Sequence, residues 1–198
     1  MPELPEVEAL VRFLDEKTRG LAVVECDLYS IAALKTFDPP LDSMVGMTVS
    51  GWSRRGKYLC CDLRKGTGAA SDIWLVIHLA RAGWVRWWDH SGTSKKPAPA
   101  GARKGKGPIA MRMEFEGSVG FDVTEMGTQK RLAIWVVKDP DEIEGVATLG
   151  IDPLDPEFTT ERLQEILSAE KGNVKTVLAR QSAIAGIGNA FHNSRLRH

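Results

Sequence analysis

Residues 21–137 contain eight short apolar or alternating runs, and no other feature of the sequence limits the fold as strongly. Glycine, proline and charged residues separate the runs, as is typical of β-strands joined by turns. The predicted strands are Leu21–Tyr29, Thr48–Ser53, Tyr58–Leu63, Trp74–His78, Trp84–Trp88, Ala110–Phe115, Gly120–Val123 and Leu132–Val137. Strands at this spacing, without helices between them, favour an antiparallel β-sandwich over alternating βαβ units.

Helical patterns lie on both sides of the β region. The spacing i, i+3, i+4, i+7 predicts a helix over Glu6–Lys17, which Gly20 ends. Near the C-terminus, Thr159 or Thr160 can cap a helix that ends near Lys171, and a second short helix covers Asn173–Arg180. The apolar face of the first helix carries Val7, Leu10, Val11 and Leu14, and that of the second carries Phe158, Leu163, Ile166 and Leu167.

These patterns predict an α+β fold in two parts. An N-terminal helix and an antiparallel β-sandwich occupy residues 1–138, and a helical domain occupies residues 156–198. The acidic, proline-containing stretch over residues 139–155 is interpreted as the linker between them. A hydrophobic content of 43% over 198 residues is sufficient for a core.

Several classes of protein are excluded by composition. No apolar run approaches the roughly 20 residues of a membrane span, and the acidic N-terminus does not resemble a signal peptide. The sequence therefore predicts a cytoplasmic protein with no membrane association. The three cysteines and four histidines have no metal-ligand spacing, so neither a zinc site nor a cofactor is expected, and buried reduced thiols are the prediction.

Charge is segregated along the chain although the formal net charge is zero. Residues 91–109 and residues 171–198 each carry five lysines and arginines with no acid, whereas residues 139–170 carry ten acids and one arginine. This distribution fits a polyanion partner or an ordinary solvated surface. Ser91–Pro108 is interpreted as a mobile basic loop, and the six tryptophans are expected to pack in the core rather than stack on bases.

The N-terminus carries a possible nucleophile. Once Met1 is removed, Pro2 presents a secondary amine, and an α-amino group with a pKa of about 7.7–8.0 is partly neutral near neutral pH. Such an amine can attack an electrophilic carbon and form an iminium, with Glu3 as proton donor and Glu6 one helical turn away. The alternative is a helix start whose acids complement the helix dipole.

Four motifs occur in one order along the chain: Met1–Glu8 (MPELPEVE), Arg54–Leu59 (RRGKYL), His78–Gly83 (HLARAG) and Ala185–Asn189 (AGIGN). Together they resemble the motifs of the formamidopyrimidine-DNA glycosylase / endonuclease VIII family. The resemblance implies a helix–two-turns–helix domain at the C-terminus and a glycosylase that removes oxidised bases and cleaves abasic sites by β,δ-elimination.

The resemblance also implies roles for individual residues. Pro2 corresponds to the nucleophile, Glu3 to the general acid, and Lys57 to the hairpin lysine at the lesion. The partner implied is damaged double-stranded DNA, bound by a monomer in the bacterial cytoplasm or nucleoid. The implied DNA contacts are Glu6, Arg55, His78, Arg81, Lys175 and Asn189.

The chain departs from the family pattern at three places. Arg81 replaces the methionine of the gap-filling loop, and Thr124 and Glu125 replace two arginines, so that Glu125 is expected to face the polyanion. After Asn189 the sequence diverges and ends at His198 without the family's zinc finger, which we interpret as a truncation that leaves the helical domain incomplete. Two alternatives therefore stay open, a catalytically impaired damaged-DNA-binding remnant and an unstable fragment with no partner.

Overall fold

The computed structural model describes residues 2–66, 72–92, 108–126, 128–169 and 172–188. One long helix, α1 (Leu4–Thr18), precedes eight strands, and three shorter helices follow them. The strands are β1 (Val23–Leu28), β2 (Thr48–Arg55), β3 (Tyr58–Arg64), β4 (Ile73–His78), β5 (Gly83–Asp89), β6 (Ile109–Phe115), β7 (Val119–Glu125) and β8 (Ala133–Val137). The later helices are α2 (Glu144–Ala147), α3 (Thr160–Ala169) and α4 (Val174–Ala179).

The strands form two antiparallel four-stranded sheets. Sheet I has the order β1-β6-β7-β5, and sheet II has the order β2-β3-β4-β8. The predicted α+β fold with an N-terminal helix and an antiparallel sandwich is confirmed. The chain-adjacent pairs β2–β3, β3–β4 and β6–β7 form hairpins, whereas β1 pairs with β6 and β4 pairs with β8 across long sequence separations.

The main core lies between the two sheets. Sheet I contributes Met113 and Phe121, sheet II contributes Leu59 and Ile77, and all four side chains are fully buried. Helix α1 closes this core by packing along β2, with Leu14 at 0% exposure. Strand β5 alternates buried and exposed positions over Gly83–Arg86, whereas β3 and β7 are buried almost throughout.

Residues 139–155, the proposed linker, pack against the outer face of sheet II. A 3-10 turn at Pro140–Glu142 leads into α2, and the buried side chains of Ile143 and Val146 contact the sheet. The helical segments that follow have a separate small apolar cluster around Val177 and Ile184. The domain boundaries at residues 138 and 156 stay a proposal.

Three further predictions concern the basic loop, membrane association and the tryptophans. Most of the basic loop Ser91–Pro108 lies outside the described residues, so its mobility stays a prediction. Within the described part of the chain, no helix is long and apolar enough to cross a membrane. The expected core packing of the tryptophans holds for Trp52, at 6% exposure, and is wrong for Trp84, at 49%.

Candidate active site

The N-terminal end of α1 holds a buried carboxylate. Glu3 occupies the N-cap position with extended backbone, and its residue is only 3% exposed. The Glu6 carboxylate accepts a hydrogen bond from the Glu3 backbone N–H at 3.0 Å, as in a capping box. Because Pro5 lacks an N–H and lies in the first turn, it costs the helix no hydrogen bond. The capping residues thus fix Glu3 beside Pro2.

A buried lysine lies near this end of α1. Lys57 belongs to the two-residue loop between β2 and β3, where Gly56 takes a positive φ of 54° that favours glycine. Lys57 is 7% exposed, and burial lowers the pKa of its ammonium group. The negative charge of Glu3 opposes that effect, so the two side chains are close enough to interact electrostatically.

His78 adds an imidazole to the same neighbourhood. Its ring lies 4.7 Å from the ring of Tyr58, which pairs with it across β3 and β4. Burial, and secondarily the positive charge of Lys57, lower the pKa of His78 to about 4. His78 is therefore a neutral hydrogen-bonding group at neutral pH, not a cation.

A glycine turn of the helical part closes over Glu3. The Leu4 N–H donates to the Gly186 carbonyl at 3.2 Å, which joins α1 to this turn. A Cβ atom added at Gly188 would lie 2.4 Å from Glu3 Oε1, so only glycine allows this approach. The resemblance motif at residues 185–189 and the N-terminal motif are therefore adjacent in space.

Gln181 organises this turn and was missed by the sequence analysis. Its Nε2 donates to the Ile187 carbonyl at 2.7 Å, and its Oε1 accepts from the Gly186 N–H at 3.0 Å. A glutamine five residues before a glycine-rich turn gave no recognisable sequence signal. Its role is seen only in the structure, where the turn at residues 186–187 lies against the Gln181 side chain.

Arg54 connects three segments and was also given no role from the sequence. Its side chain is 6% exposed and contacts Glu8 on α1, the Gly56 carbonyl in the hairpin loop, and Asp152 after α2. Burial alone would raise the pKa of Asp152, but hydrogen bonds from Arg54 and from the Leu154 N–H outweigh it and lower the pKa. We call this group, formed by Arg54, Glu8 and Asp152, the Arg54 cluster.

Other predicted DNA contacts lie at the surface. Arg55 is half-exposed and forms an ion pair with Asp141, and Arg81 is exposed in the turn between β4 and β5. Lys175 is exposed on α4, and no contact joins it to Pro2 or Lys57 among the described residues. Asn189 lies outside the described residues. The roles of these residues stay predictions.

The expectation that Glu125 faces the polyanion is wrong. Glu125 is 5% exposed, and its Oε1 accepts hydrogen bonds from the backbone N–H groups of Arg131 and Leu132 at 2.7 and 2.9 Å. Thr124 is also buried and donates to the Trp84 carbonyl at 3.3 Å. Glu125 therefore stabilises the loop after β7, whereas Thr124 bonds to β5, and no negative charge is presented to DNA here.

No metal-binding group is found within the described residues. No set of three or more histidine, cysteine, aspartate or glutamate side chains there is arranged to hold an ion. Cys60 and Cys61 are buried, and burial raises the pKa of the Cys60 thiol to about 12. These thiols are consequently unsuited to metal binding or nucleophilic chemistry near neutral pH. The prediction of no cofactor stays untested.

The geometry defines a class of site in which a buried carboxylate, Glu3, follows Pro2 in the chain and lies near the buried Lys57, where the β-sandwich contacts the glycine turn. Residues 1–130 match the family model described as the formamidopyrimidine-DNA glycosylase N-terminal domain. The formamidopyrimidine-DNA glycosylase of Nostoc sp. is 32% identical over 202 residues, covering 99% of this chain and 67% of the relative. That of Rippkaea orientalis is 30% identical with the same coverage.

Solved structures share the fold. The Lactococcus lactis formamidopyrimidine-DNA glycosylase bound to abasic-site DNA superimposes with a TM-score of 0.74 at 22% identity, covering 97% of this chain and 67% of that one. The Thermus thermophilus MutM (Fpg) protein gives 0.71 at 24% identity, covering 95% and 60%. The chain thus spans about two thirds of the length of its relatives. The chain belongs to the formamidopyrimidine-DNA glycosylase family, which confirms the resemblance.

Proposed function

We propose that this chain is a base-excision repair DNA glycosylase that removes oxidised bases and cleaves the abasic site through a Schiff base on Pro2. The observation that supports the proposal is the burial of Glu3, which follows Pro2 in the chain, with Lys57 close enough to interact with its charge. The substrate is damaged duplex DNA, bound by a monomer in the bacterial cytoplasm. Residues 1–138 act as the catalytic part, and residues 156–198 form a partial DNA-binding part.

The reaction begins with the damaged nucleotide outside the base stack, at a cost of a few kcal/mol in unstacking and unpairing. The neutral Pro2 nitrogen attacks C1′, the bond from C1′ to the base breaks, and the base leaves with the proton that the Pro2 nitrogen loses. Glu3 protonates the sugar ring oxygen, so the ring opens to an iminium on Pro2. Loss of the C2′ proton to water then expels the 3′ phosphate, and loss of the C4′ proton to water expels the 5′ phosphate. Hydrolysis of the iminium releases Pro2.

Lys57 suits this sequence because it is a buried cation near a carboxylate. A phosphate entering the site would restore the stabilisation that burial removes from the ammonium group. Phosphates must be held on both sides of a flipped nucleotide, and the hairpin loop and the glycine turn both lie close to Glu3.

The alternative function is a catalytically impaired remnant that binds damaged DNA. It is favoured by the loss of the gap-filling methionine at Arg81 and of the cations at positions 124 and 125. The two proposals differ in one measurement, covalent trapping on abasic-site DNA by borohydride. An enzyme leaves a reduced adduct on residue 2, whereas a remnant binds the same DNA and leaves none.

Replacing Lys57 with alanine should weaken binding to abasic-site DNA and reduce its dependence on salt. One lost phosphate contact lowers the slope of log affinity against log salt by about 0.9. Titrations at several salt concentrations measure this slope. Lys65→Ala removes the same charge at the exposed far end of β3 and should leave the slope unchanged. Equal slopes for wild type and Lys57→Ala would exclude a phosphate contact.

Replacing Gly188 with alanine should displace the Glu3 carboxylate while the fold is kept. The new methyl group would meet the end of a flexible side chain, so the backbone need not move. A shift of about 1 Å in a reacting group can slow a reaction about 10²-fold, and we expect that loss in base excision. Gly92→Ala is the control, because its Cβ would meet nothing within 4 Å. Unchanged excision rates in both variants would contradict a role for Glu3 at this position.

A further inference from the structure

Trp84 is more exposed than the other tryptophans of the chain. The structure describes all six tryptophans, and only Trp84 exposes about half of its surface, at 49%. Indole rings are ordinarily buried because they carry a large apolar area. Trp84 lies on the outer face of β5, since the adjacent Val85 is buried in the core. The side chain therefore contributes little to the core and is free to contact a partner.

Met126 lies next to Trp84 on the same face. Trp84 pairs with Thr124 in the ladder between β5 and β7, and the Met126 N–H continues this pairing by donating to the Ala82 carbonyl at 3.2 Å. Met126 is two residues beyond Thr124, which makes it the diagonal neighbour of Trp84 on one face of the sheet. Met126 is 69% exposed. We call these two residues the Trp84–Met126 pair.

The charges around this pair favour a polyanion. The flanking residues 81–86 and 124–131 contain one acid, Glu125, which is buried and accepts backbone hydrogen bonds. Four cations in these two stretches are exposed: Arg81, Arg86, Lys130 and Arg131. Aromatic side chains surrounded by arginine and lysine are typical of surfaces that bind single-stranded or unstacked nucleic acid.

We infer that the Trp84 indole stacks on an unstacked base of bound DNA, next to the nucleotide that is removed. This inference rests on the proposed function for the identity of the DNA. We place the contact next to the removed nucleotide because Trp84 comes three residues after Arg81. Arg81 occupies the position of the methionine in the family's gap-filling loop. An intact duplex hides the faces of its bases, whereas a missing or flipped base exposes the faces of its neighbours. Trp84 would therefore favour duplexes that contain a gap in the stack.

Binding by wild type and Trp84→Ala to two duplexes tests the inference, one intact and one with a stable abasic-site analogue. Stacking on one base is worth about 1–3 kcal/mol, so we expect Trp84→Ala to bind the abasic duplex roughly 5- to 150-fold more weakly. Affinity for the intact duplex should change little. Trp84→Phe keeps an aromatic face and should retain most of the preference. Phe37→Ala is the matched control, because it removes an aromatic residue that is 70% exposed between β1 and β2.

Two results would overturn the inference. One is equal affinity of wild type and Trp84→Ala for the abasic duplex. The other is a change in the oligomeric state of Trp84→Ala at unchanged DNA affinity, which would assign the pair to a protein interface. These binding measurements use no borohydride and no cleavable substrate. A failure of trapping on Pro2 would therefore overturn the enzymatic proposal, and the binding result for Trp84→Ala could still be interpreted independently.

Discussion

Borohydride should trap the processed chain covalently on an abasic-site oligonucleotide, and the adduct should map to residue 2. The reason is that only a free Pro2 amine can form the iminium that borohydride reduces. A chain that retains Met1 has an amide at Pro2, so it should give no trapped species at all. The measurement is gel separation of the adduct followed by mass spectrometry of the N-terminal peptide.

Variants at the first two positions separate nucleophile from acid. Pro2→Gly presents a primary amine and should retain part of the trapping. Glu3→Gln removes the proton donor that opens the sugar ring. It should therefore slow removal of a damaged base more than nicking of a pre-formed abasic site, part of which is already ring-opened. Removal of a positioned proton donor typically costs 10²- to 10⁴-fold in rate. A Glu3→Gln variant that loses both activities equally would assign Glu3 to holding Pro2 rather than to proton transfer.

Low salt and high protein concentration suit the first assay, because phosphate contacts dominate the affinity of such proteins. Absence of a trapped species under these conditions, with Met1 shown to be removed, would contradict the enzymatic proposal. Binding without trapping would then favour the damaged-DNA-binding remnant. Absence of both, together with a thermal melt unaffected by abasic-site DNA, would favour a chain with no DNA partner.

The strands could be predicted from the sequence because each depends on a local pattern. In β3, for instance, every second residue from Leu59 faces the main core, and Gly56 marks the preceding hairpin loop. The order of strands in the sheets could not be predicted, since the pairing of β1 with β6 joins residues more than 80 positions apart. Helix α1 begins at Leu4 and not at the predicted Glu6, because the Glu6 carboxylate caps the backbone at Glu3.

The candidate site residues also divide into those that a local sequence motif indicates and those whose role depends on distant segments. Glu3 and Lys57 were found through short motifs, and the structure brings both to one place, although their roles stay predictions. Glu125 was misjudged, because a carboxylate in a charged loop motif gives no sign that backbone N–H groups will bury it. Gln181 and Arg54 were missed, because their partners are distant segments. Such residues become visible only when the fold is known.

Arg54→Met should destabilise the protein by about 3–5 kcal/mol at pH 7, which is the usual cost of removing one partner of a buried ion pair. The guanidinium is 6% exposed and binds Glu8, Asp152 and the Gly56 carbonyl at once. Methionine has a similar length and fills the space, so the loss is mainly electrostatic. Removing the guanidinium leaves Asp152 without a cation, leaves Glu8 with the exposed Arg12 alone, and leaves the Gly56 carbonyl without its donor. Chemical unfolding of wild type and variant measures the difference in free energy of unfolding.

Arg55→Met provides a matched control one residue away. Arg55 also pairs with an aspartate, Asp141, but the two side chains are 42% and 56% exposed. Exposed ion pairs contribute about 0–1 kcal/mol, so this variant should be close to wild type in stability. A similar loss of unfolding free energy in both variants would show that the ion pairs of the Arg54 cluster contribute no more than an exposed pair. Any change in β2 would then destabilise the sandwich.

Acid should reduce the difference between wild type and Arg54→Met. Burial would by itself raise the pKa values of Glu8 and Asp152, but hydrogen bonds, mainly from Arg54, lower both in the folded protein. A carboxyl group with a lowered pKa stabilises the fold above its unfolded pKa, and this stability is lost as the pH falls through the folded pKa. Wild type should therefore lose stability from about pH 5 downwards, because unfolded Asp and Glu titrate at about 3.9 and 4.3. In Arg54→Met, Asp152 lacks a cation and Glu8 keeps only Arg12, so protonation relieves the cost of burying these carboxylates and the variant loses less stability. Unfolding measured at pH 7, 5 and 3 should give a shrinking difference between the two proteins, and a constant difference would show that Arg54 acts through packing alone.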